Sequence, residues 1–116
     1  MNKEIEVLVG LIEFSKPRVQ IEANLRVISW DSDDELLMLT VSVTNNVLQR
    51  YQNGKIKAKD IEWWSNAIEC RDQIGFEDEH KDTISEIITM LANPTLYHYK
   101  SYSDLADEAC RILLNI

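Results

Sequence analysis

"DDELLMLTVSVTNNVLQRYQ", residues 33–52, carries two competing periodicities, and the choice between them decides the fold. Within it, "LTVSVT" alternates apolar and polar residues and is rich in β-branched side chains, as a strand would be. Over the longer window Leu36, Leu39, Val43, Val47 and Tyr51 recur along one helical stripe, and Asn53-Gly54 follows as a stop. Ser32 and Glu35 form a capping-box pair just where such a helix would begin. A strand here would lack an evident pairing partner. The spacing therefore predicts one helix from about Asp33 to Gln52.

The remaining segments agree with a helical chain. Residues 3–14 place Ile5, Leu8, Val9 and Ile12 at helical spacing, and Pro17 can open a second helix that runs to about Ile28 with Val19, Ile21, Leu25 and Ile28 for packing. Residues 58–71 hold the adjacent tryptophans Trp63 and Trp64. Thr83 and Glu86 make a second capping box for a helix whose Ile84, Ile87, Ile88 and Leu91 form a buried stripe ended by Asn93-Pro94. A last helix follows Ser103 as its N-cap, packing through Leu105, Ala109, Ile112 and Leu113. The expectation is an all-α protein, a single compact domain of five or six helices spanning residues 1–116, without a substantial sheet.

Charge divides the chain. Residues 1–59 hold 8 acids and 8 bases, whereas residues 60–116 hold 12 acids and 4 bases, so the whole net charge of −8 lies in the second half. Such an excess keeps a small protein dispersed, and it also suits a basic partner. Nucleic acid is a poor partner, because phosphate binding needs a concentrated basic surface and only Lys55, Lys57 and Lys59 cluster. The N-terminal stretch carries Glu4 and Glu6 where a signal peptide would be basic and apolar, and the apolar run Val7 to Ile12 is too short to span a bilayer. A soluble cytoplasmic protein is expected, with Cys70 and Cys110 as buried thiols.

Residues for chemistry are sparse. Neither His80 nor His98 stands in a recognisable motif, and Glu77 three residues before His80 is one half-copy of a carboxylate metal site that needs several. "DSDDE", residues 31–35, lacks the twelve-residue spacing and turn glycine of a calcium loop. No phosphate-binding glycine loop and no zinc-spaced cysteines occur. No cofactor is implied, and the pattern reads as a binding protein rather than an enzyme.

The segment of greatest interest is "DIEWWSNAIECRDQIGFEDE", residues 60–79, where two tryptophans stand among seven acids. On a wheel of 100° per residue, Ile61, Trp64 and Ile68 cluster, with Ala67 and Cys70 extending the arc. Glu62, Ser65, Asn66 and Glu69 fall opposite. Trp64 should be core and Trp63 a boundary residue, or a partly exposed anchor for a partner. Glu62, Glu69 and Asp72 would form an acidic rim that continues into Glu77, Asp78 and Glu79.

Three blocks, "SWDSDDELLMLT" (29–40), "YQNGKIKAKDIEWWSNAIECRDQIGFE" (51–77) and "IITMLANPTL" (87–96), resemble blocks shared by small acidic bacterial proteins of the immunity type in contact-dependent growth inhibition systems. The chain departs from them in carrying Trp64 where a small residue follows the first tryptophan. The resemblance implies a protein that neutralises a toxin domain delivered by a neighbouring cell. A basic toxin, such as a nuclease with a phosphate-binding cleft, is the partner that an acidic surface suits. The competing readings are a metal-binding or enzymatic helical protein built on His80 and Glu77, and an adaptor subunit of a larger assembly.

Overall fold

The computed structural model describes residues 3–28 and 35–116. Among these residues six helices follow in chain order: α1 (Lys3–Glu13), α2 (Arg18–Leu25), α3 (Val41–Gln52), α4 (Ala58–Glu69), α5 (Lys81–Ala92) and α6 (Tyr102–Leu114). Two three-residue strands, β1 (Leu37–Leu39) and β2 (Ile74–Phe76), pair in parallel. Short 3-10 turns at Asp78–His80 and Pro94–Leu96 precede α5 and follow it. The Cα radius of gyration, 13.6 Å, is close to the roughly 13 Å of a compact domain this long, so the helices form one body. The protein is mostly all-α.

The apolar stripes converge as their spacing predicts. Leu8, Ile61, Trp64, Ile68, Ile84, Ile87, Ile88, Leu91 and Leu105 are all buried to within 1% of full coverage. Trp64 lies at the centre, where α4 meets α1. Its indole Nε1–H donates to the carbonyls of Leu11 and Ile12, at 2.9 and 3.2 Å. These carbonyls are in the last turn of α1, where helix geometry leaves acceptors unpaired. The ring is thus both packed and hydrogen-bonded.

Residues 35–52 are part strand and part helix. Leu36, Leu39, Val43, Val47 and Tyr51 all pack on the core, as the stripe requires, but residues 37–39 are extended. Thr40 ends the strand: its backbone is extended, and its Oγ1 accepts from the Val43 N–H at 3.1 Å as the N-cap of α3. The missing partner is β2, 37 positions onward, with Leu37 opposite Ile74, Met38 opposite Gly75 and Leu39 opposite Phe76. A crossover through α3 and α4 brings it back, as a parallel pair demands. The predicted capping box at Ser32 lies outside the described residues.

Other boundaries move for local reasons. α2 spans only Arg18–Leu25, and Val19 is 79% exposed rather than packed. α5 begins at Lys81, continuing the 3-10 turn before it, so Thr83 is already inside the helix and forms no capping box with Glu86. α6 is capped by Ser101, not Ser103: the Ser101 Oγ accepts from the Asp104 N–H at 3.1 Å. Cys110 is buried as expected, whereas Cys70, at the C-cap of α4, is exposed; both are free thiols.

Candidate functional site

α4 presents different surfaces to three sides. Toward the core it buries Ile61, Trp64 and Ile68. Ser65 joins them, fully buried instead of solvated, because its hydroxyl donates back to the carbonyls of Ile61 and Glu62, both at 3.0 Å. Asn66 is half-buried, and its amide donates to the Ala92 carbonyl at the end of α5 at 3.3 Å.

Trp63 faces α2. Its ring meets Phe14 edge-on, with centroids 6.3 Å apart, and the Arg18 guanidinium lies 5.2 Å from its centroid, within cation–π range. Arg18 is held there by Glu22 at 2.6 Å and by Asp60 at 3.8 Å. Glu22 also reaches Arg26 at 4.0 Å. Both α2 and α4 pack on α1, and a groove of about 560 Å³ runs between them. One bank consists of Arg18, Glu22, Leu25 and Arg26, and the other of Trp63, Asn66, Ala67 and Cys70, with the buried Arg71 at one end. Burial lowers the Arg71 pKa from its usual value, against the opposing pull of Glu4.

None of the acids of the expected rim lines the groove beside this ring. Glu62 belongs to a separate groove, shared with Pro94, His98, Tyr102 and Leu105, on the α6 side of α4. Glu69 and Asp72 are exposed near the end of α4, while Asp78 and Glu79 are exposed in the 3-10 turn before α5. Glu77 is structural, because its Oε1 accepts from the Val41 N–H at 2.9 Å and so helps Thr40 cap α3. Trp63 and Glu62 thus line different grooves, and Asp78, Glu79, Asp82 and Glu86 are all exposed within residues 78–86, the latter two four residues apart on α5.

Charge availability differs sharply between these places. Among the described residues, Glu62, Glu69, Asp72, Asp78, Glu79, Asp82, Glu86 and Asp104 are exposed and enter no ion pair. Asp60 is paired, Asp107 accepts from Gln52 at 3.0 Å, and Glu108 is bonded to Arg111, which holds its carboxyl below the usual range. Among the described residues, Glu77 and His80 included, no three His, Cys, Asp or Glu side chains are placed so that they could hold a metal ion. No helix among the described residues is long and apolar enough to cross a membrane.

The groove arginines have a sequence signal of their own, outside the tryptophan segment. Arg18 and Glu22 on α2 and Arg26 at its C-cap stand at i, i+4 and i+8, a spacing that aligns them on one face. Comparison with known protein families, curated proteins and solved structures gives no match.

Proposed function

We propose that the chain acts by binding, as a cytoplasmic immunity protein that neutralises a basic toxin domain, of which a nuclease is the type best suited. The observation that carries this reading is the set of eight exposed acids between Glu62 and Asp104 that enter no ion pair among the described residues. Exposed charges that satisfy nothing inside the fold remain available to a partner of opposite sign. They raise the encounter rate with a basic surface and can occupy a cleft shaped for phosphates. Toxin neutralisation by occlusion requires a rigid scaffold and a complementary face, not a catalytic group.

The acids at the start of α5 are the preferred docking region. Asp78, Glu79, Asp82 and Glu86 project from one continuous stretch whose other face carries Ile84, Ile87, Ile88 and Leu91 into the core. Asp78, Glu79 and Asp82 also favour the positive end of the α5 dipole, a local stabilisation that exists without any partner. The resemblance to immunity proteins, which runs from about Trp30 to Leu96, agrees with the same function. The test is to purify the chain with the product of its adjacent gene and to measure binding and relief of toxicity together. A complex whose association slows with added salt and on reversal of these acids is the expected result. An adjacent product that neither binds nor is neutralised overturns the reading.

A further inference from the structure

The link from α5 to α6, residues 93–101, turns apolar side chains outward. After the 3-10 turn Pro94–Leu96, His98 takes a left-handed backbone with φ 55°, a conformation that a non-glycine residue holds at a cost. Leu96 is left 67% exposed and Tyr99 42% exposed, so neither contributes its full apolar area to folding. Tyr99 lines a groove of about 320 Å³ together with Tyr102 and the buried Leu105 of α6 and Glu62 of α4. Tyr102 is fixed in place: its hydroxyl donates to the Leu91 carbonyl at 2.7 Å, and its ring meets Tyr51 edge-on with centroids 6.2 Å apart. Burial, and then the nearby Glu62 carboxylate, raise the pKa of that phenol. Glu62 itself is exposed and enters no ion pair among the described residues.

The charge of this surface has one sign. The two grooves that flank residues 98–100 hold Glu62, Asp104, Asp107 and Glu108 against Lys100 and Arg111, with histidine counted as neutral. Glu108 and Arg111 pair with each other, and Asp107 accepts from the neutral amide of Gln52. Three carboxylates then stand against the one ammonium of Lys100, which enters no ion pair among the described residues.

We infer that this groove seats an arginine side chain of a basic protein partner, with Leu96 and Tyr99 as the apolar anchor beside it. The inference rests on the binding role proposed above and gives that role a contact point. A guanidinium is planar, so it stacks on a tyrosine ring while offering a carboxylate two parallel donors. Tyr99 supplies the ring and Glu62 the carboxylate. A wholly apolar occupant would shut Glu62 from water without a partner, and an anionic one would meet the excess of carboxylates. Tyrosine and arginine are also the residue types that concentrate binding energy at interfaces. The acids at the start of α5 stand at the other end of that 12-residue helix, about 18 Å away along its axis. Those acids steer the encounter, and the link holds the complex.

The test measures association and dissociation of the full chain with the product of its adjacent gene. Leu96→Ser combined with Tyr99→Ala should speed dissociation by about thirtyfold and leave association within about twofold, because anchors act on the bound state. Glu62→Gln should speed dissociation by about tenfold, as loss of a charge-assisted hydrogen bond implies. Tyr99→Phe, which keeps the ring, should stay close to the unmodified chain. Val19→Ser, at an exposed apolar residue of α2, should change neither rate, and circular dichroism should report unchanged helix content throughout. An adjacent product that does not bind removes the binding role and this contact with it. A complex whose dissociation is unmoved by the Leu96, Tyr99 and Glu62 variants, or moved as far by Val19→Ser, leaves the binding role standing and overturns the groove. Self-association of the chain alone that these variants abolish in sedimentation would assign the groove to a second copy and overturn the inference as well.

Discussion

The α2–α4 corner and the stretch from Asp78 to Glu86 are both rich in charge, and they use it in opposite ways. At the corner, Arg18, Glu22, Arg26 and Asp60 are linked to one another, and Arg18 is laid over Trp63. Before and within α5, Asp78, Glu79, Asp82 and Glu86 are exposed and enter no ion pair among the described residues. Charge at the corner positions side chains; charge along α5 is available to act on a partner. A count of acids and bases does not distinguish these uses, because it takes no account of which side chains meet.

The core that supports both regions should show the largest effect. Trp64→Ala removes a fully buried ring and leaves the Leu11 and Ile12 carbonyls without their indole donor, so it should cost about 3–5 kcal/mol in chemical denaturation. Trp63→Ala, at a half-buried ring packed by Phe14 and Arg18, should cost only about 1–2 kcal/mol. Equal losses for the two adjacent tryptophans would erase the distinction between core and groove that the corner rests on.

Tyr102 links α6 to α5 and adds a pH signature. Its hydroxyl donates to the Leu91 carbonyl at 2.7 Å, and burial, aided by Glu62, raises its pKa well above the ordinary value of 10.0. A phenol whose folded pKa is raised favours folding while it is neutral. Unfolded chains release that proton near the ordinary value and folded ones do not, so stability should fall as pH rises above about 10. Tyr102→Phe should cost about 1 kcal/mol at neutral pH and flatten the alkaline decline in a thermal-melt series.

The smallest stability effects separate the two charged regions. Glu22→Gln loosens both arginines and should cost at most about 1 kcal/mol, since the pairs are partly exposed. Asp82→Lys loses a favourable dipole interaction in the first turn of α5 and should cost about 0.3–1 kcal/mol. Glu22→Gln should leave association with a basic partner unchanged, and Asp82→Lys should slow it; matching association kinetics for the two would collapse the contrast.

Helix content, the isoleucine stripe of α5 and the burial of Trp64 are legible in the sequence because each follows from local spacing. What escapes depends on distant residues. β1 pairs with a three-residue strand 37 positions later, too short and too remote for its own pattern to announce. Leu36 and Leu39 still pack on the core, so the stripe predicts burial correctly and secondary structure incorrectly. The surroundings of Trp63 are hidden for the same reason: Phe14, just after α1, and Arg18, at the start of α2, are far along the chain. The acidity of Glu77 suggests surface charge, yet its carboxylate caps α3. Ser65 is buried on a nominally polar face because its hydroxyl can satisfy itself on the preceding turn.

The measurement that tests the proposed binding role most directly is the association rate of the chain with the product of its adjacent gene, which the proposal expects to be basic, followed in stopped flow across a range of salt. With Asp78→Lys, Glu79→Lys, Asp82→Lys and Glu86→Lys combined, association should slow by about tenfold or more at low salt and converge on the unmodified chain as screening rises, with the helix content unchanged. Association that proceeds at the unmodified rate at every salt concentration would contradict it.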